Sequence, residues 1–163
     1  MDMNNFIVYH GTPQKHEFNE VGRMFEGTFF STSKNEANTY GNYVYSVTLK
    51  KDLNLFDTNL LTDCKLLISE FGPLIDPYYN PNDISYYITE PEQIYHNSDS
   101  WSIIEGNYDV LEWLGGNYDG VWVYEGGVRN LLLFKPINDK IEDIVLLMNL
   151  KESIRRILRE ELG

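Results

Sequence analysis

The 163-residue chain holds one cysteine, three histidines, and 13 lysines and arginines against 25 acidic residues. Each shortage excludes something. A single cysteine, Cys64, cannot close an internal disulfide, and with three scattered histidines it offers no metal-ligand spacing, so no metal is expected. A reducing, cytoplasmic setting suits such a chain. No apolar run approaches the ~20 residues that cross a bilayer, and the opening MDMNN lacks the basic and apolar regions of a secretory leader. The formal charge of −12 opposes a phosphate backbone, so neither a membrane nor direct nucleic-acid binding is expected.

What is present is apolar enough to fold: 42% hydrophobic and 14% aromatic, with twelve tyrosines suited to half-buried sheets and stacking surfaces. The length favours one domain with an appendage. Residues 140–163 carry five basic and five acidic side chains, so the acidity belongs to the body at 1–139. From Ile141 to Leu162 apolar residues recur at helical spacing, with Lys151, Arg155, Arg156 and Arg159 on the other side. An amphipathic helix over 140–163 is expected, either docked on the body or serving as a handle for a bacterial or phage partner.

Along the body, FIVYHGT (6–12) reads as a strand that stops on His10, Gly11 and Thr12. Glycine after a β-run lets the backbone turn or approach a ligand, and histidine is the residue most often asked to move a proton or donate a hydrogen bond. GTFFSTS (27–33) is a short strand, Ser33 caps a helix ending at Gly41, and 43–49 alternate as a strand. Residues 60–71 favour a helix, and 72–100, rich in proline and asparagine, form an irregular excursion. Next comes a helix ending at Gly115 or Gly116. Then YDGVWVYE and NLLLF are separated by GGVR, a hairpin.

Three of these pieces, YHGT (9–12), GTFFSTSKNEANTYG (27–41) and YDGVWVYEGGVRNLLLFKP (118–136), together resemble the ADP-ribosyltransferase superfamily. The likeness is to its small bacterial and phage-encoded members related to the poly(ADP-ribose) polymerases and diphtheria-type toxins. It implies an α+β fold, a split pair of small, mainly antiparallel sheets around an NAD+ cleft. It also implies a glycosyl-transfer enzyme that breaks the nicotinamide–ribose bond and moves ADP-ribose to a host or partner protein. By the same resemblance His10 bonds a ribose hydroxyl, Gly11 offers its backbone to the nicotinamide carboxamide, and Thr12 adjoins them. Phe29 and Tyr40, two and thirteen residues after Gly27, sandwich the nicotinamide ring, and Ser31 braces the cleft. An acidic body repels a pyrophosphate unless local donors compensate, and of the basic residues nearest the motifs, Arg23, Lys34 and Arg129, Arg23 or Arg129 is expected to meet it.

The family also expects a glutamate opening its last strand, to stabilise the cationic sugar as nicotinamide leaves. Here that position reads Asn130, and Glu125 lies five residues earlier across the hairpin. Two readings stay open: Glu125 acts from the neighbouring strand with Asn130 beside it, or the carboxylate is lost. The first gives a mono-ADP-ribosyltransferase with His10, Tyr40, Glu125 and Asn130 as its catalytic set. The second gives a degenerate NAD- or ADP-ribose-binding module, or a phage structural or cargo protein on the same fold, virion-associated through 140–163.

Overall fold

A computed structural model describes residues 6–13, 27–76, 82, 87–147 and 150–162, the side chains of 150–154 excepted. Strand β1 (Ile7–Thr12) lies between β2 (Gly27–Ser31) and β3 (Tyr43–Leu49), antiparallel to both. The short helix α1 (Lys34–Asn38) links β2 to β3, and its Ser33 cap accepts from the Glu36 amide at 3.2 Å, as the sequence predicts. After β4 (Leu55–Asp57) come helix α2 (Leu61–Phe71), the two-residue strands β5 (Leu74–Ile75) and β6 (Tyr87–Ile88), and helices α3 (Ser100–Glu105) and α4 (Tyr108–Asn117). The single helix expected before Gly115 is thus two, broken at Gly106–Asn107, and it runs on to Asn117.

Strands β7 (Gly120–Glu125) and β8 (Val128–Phe134) form the expected hairpin. Gly126 and Gly127 close it at φ of 56° and 78°, left-handed values that favour glycine at both central positions of a two-residue turn. The hairpin residues alternate between two cores. Val121, Val123, Leu132 and Phe134 pack with the α2–α4 side chains, whereas Trp122, Leu131 and Leu133 pack with Val8, Phe30 and Val47. Both faces of these strands are covered, which explains their near-continuous apolar run.

Strand β9 (Ile141–Leu147) and helix α5 (Leu150–Leu162) complete the chain. The expected helix over 140–163 is therefore corrected in its first third, where residues 141–147 pair antiparallel with β3. Isoleucine and valine fit a pleated strand as well as a helix, and the free edge of β3 decides between them. The boundary between a body at 1–139 and an appendage moves accordingly. Lys140 is buried and donates to the Phe134 carbonyl at 2.6 Å, and β9 belongs to the main sheet.

The sheet has seven strands in the order β4-β7-β8-β2-β1-β3-β9, antiparallel except where β4 meets β7, beside a two-stranded β5-β6 sheet. The fold is α+β, with a large, mostly antiparallel sheet and, among the described residues, five α-helices. Two separate small sheets were expected, and the structure joins them. The join is narrow: among the described residues β1 and β2 share one register pair, Tyr9 with Ser31, while β1 and β3 share six.

Candidate functional site

Where β1 and β2 part beyond Tyr9 and Ser31, a cavity of about 340 Å³ opens. The strands supply Tyr9, His10 and Gly11 from one side and Phe29, Phe30 and Ser31 from the other. His10 spans the gap, its Nδ1 at 2.7 Å from the Phe29 carbonyl oxygen. A carbonyl only accepts, so Nδ1 carries the proton in this contact and Nε2 is left for another partner.

Gly11 is bare for a packing reason: a Cβ there would overlap the carbonyl oxygen of Ala37. That close approach seats α1 on β1. Two further bonds orient the helix, the Ser33 amide donating to Ser31 Oγ at 3.1 Å and the Glu36 amide to Ser33 Oγ. Just past α1, the Tyr40 amide donates to the Ala37 carbonyl, and the Tyr40 ring lines the cavity. The side chain is half exposed, and its phenol is pushed above its ordinary pKa by burial, then by Glu125 and Glu36.

The opposite wall holds Trp101, a residue the sequence reading did not select. It is 8% exposed and meets Phe29 edge to face, with centroids 4.7 Å apart. A directed chain of hydrogen bonds fixes the start of α3. The Tyr124 amide donates to Ser100 Oγ, which lies 2.9 Å from Thr58 Oγ1, and Thr58 donates to the Trp122 carbonyl. The Thr58 proton is committed to that carbonyl, so Ser100 donates to Thr58. The sequence signal for Trp101 was an aromatic next to an apolar helical run, which reads as ordinary core.

Glu125 and Asn130 close the cavity. They are not directly opposed in the ladder, which pairs Glu125 with Val128 and Asn130 with Val123. They do share one face of the hairpin, and the Asn130 side chain hydrogen-bonds the Glu125 carboxylate. Burial, then Asp99, raise the Glu125 pKa above the ordinary carboxylate value; the Asn130 bond opposes them, and Glu105 and Glu36 add smaller increases. Asn130 itself is 5% exposed, and its Oδ1 is a buried acceptor without a hydrogen-bond partner.

Seven residues singled out in the sequence, His10, Gly11, Phe29, Ser31, Tyr40, Glu125 and Asn130, thus line one cavity. Thr12 does not: it is buried at the end of β1, opposite Tyr43. Arg23 lies outside the described residues. Arg129 is corrected as a pyrophosphate contact. Adjacent to Asn130 on β8, it points to the other face of the sheet, where it pairs with Asp57 at 2.7 Å and lies 4.2 Å from the Trp122 ring centroid. Cys64 offers no nucleophile, because burial pushes its thiol up to about 12. Among the described residues no cluster of three or more His, Cys, Asp or Glu is arranged to hold a metal, and no helix is long and apolar enough to cross a membrane.

No protein-family model and no curated protein matches the chain. One solved structure, described as that of an anti-CRISPR protein, is similar at 10% identity and a TM-score of 0.45, over 86% of this chain and 94% of the other.

Proposed function

We propose that the cavity receives the nicotinamide-ribose end of NAD+ and that the protein is a mono-ADP-ribosyltransferase acting on a protein acceptor. One observation carries the reading: the five residues implied by the resemblance, His10, Gly11, Phe29, Ser31 and Tyr40, line a single cavity together with Glu125 and Asn130, where the chain departs from the family pattern. Its volume lies at the low end of small-molecule sites, about 300–1,000 Å³, which suits a nucleoside with the remainder of the dinucleotide outside. Among the described residues the lining includes no lysine or arginine and combines aromatic rings with a carboxylate. A flat cation such as the nicotinamide of NAD+ is favoured by both.

In this scheme Phe29, Tyr40 and Trp101 flank the ring, and Asn130 orients Glu125 toward it. As the bond between the ribose C1′ and the ring nitrogen breaks, its electron pair leaves with neutral nicotinamide and positive charge develops on the sugar. Glu125, held by Asn130, is the fixed negative charge that meets it. The acceptor nucleophile then bonds C1′ and loses its proton to solvent. The products are the ADP-ribosylated acceptor, nicotinamide and a proton. Polymer elongation is not part of the reading, since it goes with a glutamate at the Asn130 position.

The test is nicotinamide release from NAD+ with and without a bacterial lysate that supplies acceptors. Glu125→Gln is expected to lower release by at least about 100-fold while NAD+ still binds, and His10→Ala to weaken NAD+ binding. Binding without release in the wild type would leave a nucleotide-binding module. Absence of binding would overturn the assignment.

A further inference from the structure

The two ends of the main sheet differ. One is β4, only three residues long; the other is β9, seven residues whose outer edge is paired with nothing among the described residues. A long open edge is a template for another strand, and proteins blunt it with charge, proline or a bulge. Here the start of β9 carries Glu142 and Asp143, and the register shifts near Ile141. The second half has no such protection. Ile144, Val145 and Leu146 are all exposed, Val145 at 48%, although successive residues face opposite sides of a strand. Beyond it α5 exposes Ile157, Leu158 and Leu162.

Charge along this segment is polarised. Asp139, Glu142 and Asp143 are exposed before or within the first half of β9; on α5 after it Arg155, Arg156 and Arg159 are exposed ahead of Glu160 and Glu161, with Arg156 paired to Glu160 at 3.8 Å, so the positive charge is confined to 155–159. The segment is therefore complementary to itself when two copies run antiparallel and opposed to itself when they run parallel. Antiparallel pairing about a two-fold axis is also the arrangement in which one surface serves both partners. It sets the acidic start of each β9 beside the end of the other copy's β9, beyond which that copy's α5 carries Arg155 and Arg159. Like charges would then not face each other across the strands, because Glu142 and Asp143 lie opposite the apolar half.

We propose that the protein forms a two-fold homodimer through β9, in which two seven-stranded sheets become one continuous sheet and each α5 lies against the acidic start of the partner's β9. The apolar residues Ile144, Val145 and Leu146 are covered in that contact, and the unpaired backbone groups of the edge are satisfied. The assignment is independent of the chemistry in the cavity.

The experiment is sedimentation equilibrium of the full chain between about 1 and about 100 µM, at about 0.15 M salt so that the Debye length of about 8 Å screens the acidic bodies from each other. The expected mass rises from 19.0 kDa to twice that value. E142K with D143K is expected to raise the dimer dissociation constant at least about tenfold, as is R155E with R159E; all four together should return it to within about threefold of wild type. All four positions are exposed, and circular dichroism confirms that each variant keeps its fold. A wild-type mass of 19.0 kDa throughout would overturn the proposal, as would a quadruple variant no tighter than either pair.

Discussion

Asn130 and Arg129 are neighbours on β8, yet the two faces of that strand have opposite characters. On the Asn130 face, a buried amide oxygen lacks a partner, and a carboxylate beside it has a raised pKa. On the Arg129 face, the guanidinium is ion-paired with Asp57 and laid over Trp122. One face gathers polar groups around a cavity; the other uses them to hold strands β4, β7 and β8 together. The difference teaches that proximity in sequence to a functional residue is poor evidence of function on a strand, since the period of two sends neighbours to opposite sides.

The comparison can be broken most strongly through the wall shared by both sheet halves. Gly11→Ala places a methyl on the Ala37 carbonyl and forces α1 away. Unfolding experiments are expected to show about 3 kcal/mol of destabilisation, and isothermal titration a loss of NAD+ binding as Tyr40 is displaced. Arg129→Met is expected to cost about 2 kcal/mol by denaturant titration, from the lost ion pair and ring contact. It should leave nicotinamide release per folded molecule unchanged, because the side chain faces away from the cavity.

Asn130→Ala sharpens the comparison on the other face, with an expected loss of release of about tenfold, or about 1.4 kcal/mol of barrier. Its pH profile is the more specific readout. Charged Glu125 is the working form in the proposed scheme, so release falls as acidification protonates it. The Asn130 hydrogen bond favours the charged form, and burial and Asp99 disfavour it. Removing the bond raises the carboxyl pKa further, and the acid limb of the rate profile should move to higher pH. An unmoved limb would mean that Asn130 only packs.

Much of the fold was legible locally. The Ser33 cap, the apolar spacing of α2 and the glycine pair of the β7–β8 turn each carry their own signal within a few residues. The cavity wall was legible where a motif carried the resemblance, as with His10, Phe29 and Tyr40. It was illegible where a residue looks like core, as Trp101 does, or where strand parity decides, as for Arg129. Strand β9 was misread because its apolar spacing fits two periods at once.

The sequence alone determined which short elements form and which residue types are available to the cavity, because caps, turns and periodicity act over a handful of residues. Only the tertiary structure decided that β1 and β2 separate to open a cavity, that Glu125 meets Asn130 diagonally rather than face to face, and that residues 141–147 become an edge strand. Those outcomes depend on register and on which edges remain free, and both are set by pairings between segments far apart in the chain.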